Sequence, residues 1–428
     1  MAKPEPKKLP AIYYDAGTGG STYWFTMPDG AIVRLGLADL QRWMIHHEVD
    51  TTAPRGELSP FDKIILHAQR TQRVDYAGPL AGHRKGLFVT SGGQQVLVTR
   101  ESTAYAAAQK LGKWPFWTAF LKALLKDKEQ LEAVLDWWAC GLRRLMKGEF
   151  GPGQALVLTG PPGCGKSLLQ HLTTEIFGGR KADPFRYMTG ATAFNGDLAE
   201  AEHLMIEDKS SSTDIRSRRE FGARLKELVV NRDISIHRKG SQAITLHTFR
   251  RVTVTINDEV ENLNILPPLD ASILDKLTLL KCHDATGALK KTEPETWKAF
   301  VAELPAVRAF LMRREIPKDR ACPRMGVKAF HNAEILAAAS TLEPQNRLLS
   351  LIDQVIPRDE LHPAGIFTAE ELEMRLRKSP FGFAVERLLS FSSACGVYLG
   401  RIANEKPHRV EKRVRNGHTR WYIRPSEE

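Results

Sequence analysis

The stretch Gly160-Pro161-Pro162-Gly163-Cys164-Gly165-Lys166-Ser167 spells G-x-x-x-x-G-K-[ST], and it constrains the fold more than any other feature of the chain. It follows the apolar run Ala155-Leu156-Val157-Leu158-Thr159 and leads into Leu168-Leu169-Gln170-His171-Leu172, so it reads as strand, loop, helix. A phosphate-binding loop requires that context. Glycines let backbone N–H groups turn inward around a β-phosphate, where a side chain would collide. The helix N-terminus adds its partial positive charge beneath the phosphates. Lys166 is expected to reach the β- and γ-oxygens, and Ser167 to place its hydroxyl on Mg²⁺. These eight residues are expected to bind ATP with Mg²⁺, although no base-reading motif accompanies them.

At 428 residues the chain has room for several domains with sizeable cores. No apolar run approaches a membrane span, and the N-terminus lacks a signal-peptide core. The five cysteines are far apart and none is in C-x-x-C spacing, which points to a reducing cytoplasm rather than a disulfide framework or a zinc site. A formal charge of +11 implies a polyanionic partner, the more so because much of the excess sits near the C-terminus. The expected architecture is α/β. A small α+β region spans 1–100, a helical segment 101–150, an ATPase core 151–285, a second helical segment with a hinge 286–340, and a terminal domain 341–428. Within the first region Tyr23–Thr26 and Ala31–Arg34 read as a hairpin, Leu37–His46 as a helix, and Gly86–Val89 with Gln95–Val98 as another hairpin.

A phosphate loop needs a partner acid. His203-Leu204-Met205-Ile206 is an apolar strand that ends in Glu207-Asp208. Adjacent side chains at a strand end diverge, so one carboxylate faces the metal and the other water. Asp208 is assigned the metal and Glu207 the water, and position alone does not distinguish them. A further strand, Arg251–Ile256, ends in Asn257, whose amide is placed to orient water beside a γ-phosphate or simply to make a turn. Between them Ile234 and Ile236 alternate with polar residues ahead of His237-Arg238-Lys239-Gly240, a basic hairpin tip. Such a tip grips phosphates of a threaded strand, or it is a solvated edge.

This order of motifs resembles the superfamily 3 helicases, AAA+-related ATPases of viruses, phages and plasmids. It most resembles the helicase portion of primase–helicases of the poxvirus D5 type. The resemblance covers Gly153 to Cys282, about a third of the chain. It implies an AAA+-like P-loop core with Lys166, Glu207, Asp208 and Asn257 as catalytic residues. It also implies a homohexameric ring, an ATP site at the subunit boundary, and single-stranded DNA drawn through a pore by a hairpin at Ser235–Ser241. Relatives carry an arginine finger where this chain has Lys276, and lysine lacks the bidentate fork. Either Lys276 serves, or Arg216, Arg218 or Arg219 acts in trans.

At the C-terminal end Thr368-Ala369-Glu370-Glu371 is a capping box, and Pro380-Phe381 opens a second helix with Phe383, Val385, Leu388 and Leu389 at core spacing. A third helix near Cys395–Ile402 precedes two β-like runs around Asn416-Gly417. Helices followed by a basic hairpin resemble a winged helix. Arg409, Lys412, Arg413, Arg415 and Arg420 would present cations to duplex or fork DNA, or the wing docks a protein. The reading that unites these features is an ATP-dependent DNA helicase or translocase in replication of a mobile element, working beside a separate primase or polymerase. The alternatives are an ATP-fuelled loader, or an initiator whose ATP site drives assembly.

Overall fold

The computed structural model describes residues 10–18, 22–27, 29–53, 55–105, 111–207, 215–267, 269, 271–415 and 417–426. The chain divides into two compact units, one made of residues 1–258 with 270–332, the other of 259–269 with 333–428. The N-terminal region therefore folds within the same unit as the segment that carries the glycine-rich loop.

Its strands alternate as the sequence predicts. Thr22–Thr26 pairs antiparallel with Ile32–Gly36, with Phe25 opposite Val33, and Gly86–Val89 pairs with Gln95–Val98. The helices Leu37–His46 and Pro60–Thr71 bury Leu40, Met44, Phe61 and Ile65 against Ile12, Tyr23 and Phe25. The second of these helices begins at a capping box, in which Ser59 Oγ accepts from the Asp62 N–H at 3.0 Å.

Two helices, α1 (Pro115–Leu125) and α2 (Lys128–Lys147), lead into the central sheet. Among the described residues this sheet has five parallel strands: β1 (Ala155–Gly160), β2 (Lys181–Ala182), β3 (His203–Ile206), β4 (Arg251–Asn257) and β5 (Leu277–Lys281), in the order β5-β1-β4-β3-β2. Every residue of β1 is buried, as expected of a parallel sheet covered on both faces. Helix α3 (Lys166–Phe177) follows β1, α4 (Ile215–Val230) lies between β3 and β4, and α5 (Glu293–Arg313) follows β5. The chain leaves β1 toward β2 on one side and leaves β4 for β5 on the other. The crevice between the carboxyl ends of β1 and β4 is thus the switch point where open α/β sheets place ligands.

Tryptophans weld α1 and α2 to this sheet, each with its indole N–H used. Trp138 Nε1 donates to Thr173 Oγ1 at 3.0 Å, Trp137 Nε1 to the Gln154 carbonyl at 3.0 Å, and Trp117 Nε1 to the Phe300 carbonyl at 2.9 Å.

In the second unit, α6 (Pro344–Val355) precedes β6 (Gly365–Phe367), then α7 (Ala369–Arg377), α8 (Gly382–Leu388) and α9 (Ala394–Glu405), and finally the hairpin β7 (Val410–Arg415) with β8 (His418–Ile423). The sheet runs β6-β8-β7. The Thr368–Glu371 capping box forms in both directions. Helix α8 departs from expectation. It is two turns long and turns Val385, followed by Leu389, inward, while Phe383 lies 200° around the helix from Val385 and is 74% exposed. Asn416 lies outside the described residues. No described helix is long and apolar enough to cross a membrane.

Helix α2 is locked to the segment that follows α5 by a cluster of ion pairs. Asp136, 2% exposed, accepts from Arg314 Nε at 2.7 Å and Arg320 Nε at 2.8 Å, while Glu132 accepts from both guanidiniums. Burial pushes the Glu132 carboxyl up, but the two arginines hold it below the ordinary carboxylate range. A lowered folded value stabilises the fold above the unfolded pKa, and that stability goes as pH falls through the folded one. Arg314→Ala is expected to cost about 3 kcal/mol in urea unfolding at neutral pH and to flatten the acid dependence just below the ordinary carboxylate range. An unchanged midpoint would show that the cluster does not secure α2.

Candidate functional site

The loop from β1 to α3 is shaped by glycines that nothing else can replace. A Cβ on Gly160 would sit 2.4 Å from the Cys282 carbonyl oxygen, because the chain leaving β5 crosses close behind the loop. Gly163 and Gly165 have φ of +73° and +114°, in the left-handed region. No side chain caps the N-terminus of α3, so its first amides face the loop without a built-in acceptor. Ser167 lies exposed in that first turn.

Lys166 is buried, and its ammonium folds back over the loop. It donates to the carbonyls of Gly160 at 2.6 Å and Pro161 at 2.8 Å, and to Asn257 Oδ1 at 3.1 Å. Asn257 stands directly opposite Gly160 in the β1–β4 register. The structure therefore brings Lys166 and Asn257, ninety-one positions apart, into contact at the switch point. Cys164 lines the loop with its thiol pushed up by burial, and its carbonyl accepts from the Ala285 amide at 3.1 Å.

Glu207 leaves β3 exposed at the same edge of the sheet. Two strand spacings separate β3 from β1, about 10 Å, which is room for a phosphate and a water between Glu207 and Lys166. The His171 imidazole on α3 lies 3.9 Å from Glu207. Burial, then Lys181, holds the His171 imidazole below its ordinary value. Asp208 lies outside the described residues. Among those described there is no cluster of three or more metal-ligating side chains. A phosphate-bound Mg²⁺ needs only one or two protein ligands besides phosphate oxygens and water, and Ser167 is placed to be one.

Behind the loop lies a network that sequence reasoning did not find. His203, fully buried, sits between Thr174 Oγ1 at 2.7 Å and Thr253 Oγ1 at 2.8 Å, and burial drops its pKa to about 3. Gln170 Nε2 donates to the Ile206 carbonyl at 3.1 Å and to Thr253 Oγ1 at 2.9 Å. These neutral bonds pin α3 to β3 and β4, and so fix the spacing between Lys166 and the strand that carries Glu207. Polar residues at apolar helical spacing were the available signal.

The basic hairpin forms with strands Asp233–Ile236 and Ile244–His247, and its alternation is as expected: Ile234, Ile236, Ile244 and Leu246 are buried. Arg238 departs from the expected free tip. Its guanidinium lies 3.8 Å over the Tyr76 ring, donates to the Ala77 carbonyl at 2.9 Å, and pairs with Glu200 at 3.3 Å. Gly78 and Gly196 leave the space it occupies; a Cβ on either would come within 2.8 Å of its side chain. Asn195 clamps the strand ends, accepting from the His237 amide at 2.7 Å, and the Gln242 amide donates to the Gly17 carbonyl at 3.2 Å. The tip is thus docked on the N-terminal strands, with His237 and Lys239 left exposed.

The trans-acting candidates fall apart. Lys276 sits just before β5, where Leu277 pairs with Ala155, at the opposite end of β1 from the loop and about 17 Å away. It is 9% exposed and paired with Asp275. Arg218 is buried in α4, and the side chains of Arg216 and Arg219 lie outside the described residues. On the second unit Arg409 is taken up by Asp353 at 2.6 Å and the Arg424 carbonyl at 3.1 Å. Arg413 pairs with Glu411 and Arg420 with Glu371, whereas Lys412 and Arg415 stand exposed.

Comparison with known proteins bears on the fold. A family of unknown function, DUF5906, matches residues 158–270, the stretch that holds the loop, Glu207 and Asn257. No curated protein matches. Among solved structures, the A form apo structure of the NrS-1 C-terminal region is similar over 97% of this chain and 96% of that one, with a TM-score of 0.59 at 13% identity. A second apo structure of that region, residues 305–718, gives 0.59 at 14% over the same shares. This chain therefore adopts the fold of that region across nearly its whole length. The active helicase Cch of SCCmec type IV matches more loosely, with a TM-score of 0.36 at 11% identity over 93% of this chain and 73% of the other, too loose to bear on this one.

If Arg238 secures the hairpin, Arg238→Ala is expected to speed amide exchange across residues 233–247 at least tenfold, a loss of ~1.4 kcal/mol of local stability, while Lys239→Ala leaves it unchanged. Equal protection in both variants would show that the Tyr76 seat holds nothing.

Proposed function

We propose that this chain is a Mg²⁺-dependent ATPase that moves along or unwinds DNA, as a ring that threads one strand. The single observation that carries the reading is the contact of the Lys166 ammonium with Asn257 Oδ1 at the switch point, above an uncapped helix N-terminus and left-handed glycines. A buried ammonium held by neutral groups exchanges them readily for phosphate, which brings the missing negative charge.

ATP is the substrate. Amides of residues 163 to 167 hold its β-phosphate, and Lys166 swings from the Gly160 and Pro161 carbonyls to the β- and γ-oxygens. Ser167 and Asp208 would hold Mg²⁺, which withdraws charge from the phosphate oxygens when bound. Glu207 takes a proton from a water as that water's oxygen bonds to the γ-phosphorus; the bond to the β,γ-bridging oxygen breaks and ADP leaves with the electron pair. Asn257 orients the water. A neighbour's cation would complete the charge balance; Lys276, buried and paired with Asp275, would have to leave that pair to serve.

The order helix α6, strand β6, helices α7 and α9, hairpin β7–β8 supports a winged helix that holds duplex or fork DNA, with Lys412 and Arg415 on its wing. Lys239 is the cation offered to a threaded strand, with the exposed His237 beside it.

Steady-state ATP hydrolysis without nucleic acid, with single strands and with duplex tests the proposal. Lys166→Ala is expected to lower turnover by about a hundredfold or more, and single strands to stimulate the wild type. Normal hydrolysis in Lys166→Ala would remove the catalytic assignment. ATP-dependent assembly without turnover would make the chain an initiator instead.

A further inference from the structure

The most exposed large apolar side chains on the second unit include phenylalanines within eleven residues of chain. Phe383 is 74% exposed, Phe391 45% and Phe381 39%. Burial of each ring would stabilise the unit by roughly 1.5–3 kcal/mol, so the fold forgoes that gain. From Met374 to Asn404 the chain carries Arg375, Arg377, Lys378, Arg387 and Arg401 against Glu386, with Glu373 and Glu405 just outside the two ends. Arg375 is paired with Glu360 and Arg377 with Glu373, which leaves the charge beside the rings on the others. The Arg387 guanidinium lies 5.9 Å from the Phe383 ring centre. Phe391 meets the Tyr398 ring edge-on at 6.1 Å, and Arg401 lies 5.7 Å from the Tyr398 ring.

We infer that Phe383 and Phe391 form a stacking platform for unpaired nucleobases, with Arg387 and Arg401 beside them on the sugar–phosphate chain. Ring faces recognise bases only when those bases are free of their own stack, so duplex is not the ligand. The cations exclude a purely apolar occupant and match a polyanion. The platform is distinct from the wing, where Lys412 and Arg413 lie over Trp421, which is buried, and Tyr422, which is half-buried, rather than over exposed rings. It rests on the reading that this protein engages DNA and names the form engaged here: the single strand next to a junction.

Anisotropy of a labelled dT oligonucleotide and of a duplex of the same length, titrated with the full chain without nucleotide across a salt series, tests it. Phe383→Ala and Phe391→Ala are each expected to weaken single-strand binding about tenfold, within the range for one stacked base. The salt slope and duplex affinity stay unchanged, because no phosphate contact is lost. Arg387→Ala is expected to lower that slope, and Phe383→Trp to keep affinity with its emission quenched by the strand. Both rings are exposed, so melting curves of the alanine variants are expected to match wild type. Wild-type affinity in both alanine variants overturns the platform, as does an equal loss on duplex. Loss of self-association alone in these variants also overturns it, making the surface an interface between copies. A wild-type protein that binds no single strand sinks the wider DNA reading along with it.

Discussion

Much of the loop-bearing unit is organised around one awkward group, the buried Lys166 ammonium. Among the described residues its hydrogen-bond partners are two loop carbonyls, the Asn257 side chain and, at 4.0 Å, the sulfur of Cys164, a thiol that burial keeps neutral. A cation in that setting holds its place only if each dipole is aimed at it. Aiming the Gly160 carbonyl requires the loop to pass against the Cys282 backbone, where only glycine fits. Aiming Asn257 requires β4 to lie next to β1 with those two residues opposite, which the β5-β1-β4-β3-β2 order provides. The His203–Thr253–Gln170 bonds then keep α3 from shifting along the sheet. The result is a site preorganised for negative charge and short of it.

The N-terminal strands gain a purpose from Arg238. A hairpin of four-residue strands is marginal on its own. Here its inner face buries isoleucines, and its tip is fastened to Tyr76, Ala77 and Gly17. An arginine over an aromatic face combines ring stacking with directed hydrogen bonds, a stronger anchor than lysine offers. The neighbouring Lys239, a flexible point charge, is the better group to leave in water. The two adjacent cations thus divide a structural and an electrostatic task.

What the sequence made legible follows from how local each signal is. The loop, the strands around it and the hairpin alternation depend on neighbours within a few residues, and the structure shows each of them. The helix Pro60–Thr71 was equally local, since Ser59-Pro60-Phe61-Asp62 is a capping signature, yet it went unread. Helix α6 and strand β6 were also missed, because a three-residue strand has too little pattern to read. The roles of single cations were not legible at all. Arg238, Arg409 and Lys276 look alike in sequence, and only their distant partners Glu200, Asp353 and the far end of β1 distinguish them.

Apolar residues failed in the opposite direction. Phe383 has a core residue's chemistry and stands in an apolar run with Val385, Leu388 and Leu389, so a core was expected. A two-turn helix, however, offers one buried stripe, and Val385 with Leu389 fills it. In the same unit Arg409, Arg413 and Arg420 are drawn into ion pairs with Asp353, Glu411 and Glu371. The net charge of the C-terminal end therefore overstates the cation surface open to a partner, and the exposed rings add contact area that charge does not report. A nucleic acid that met this unit would find phosphate contacts on the wing and ring faces near α8. If the proposed roles hold, with duplex on the wing and unpaired bases on the rings, the two surfaces together suit DNA that carries both a paired and an unpaired segment.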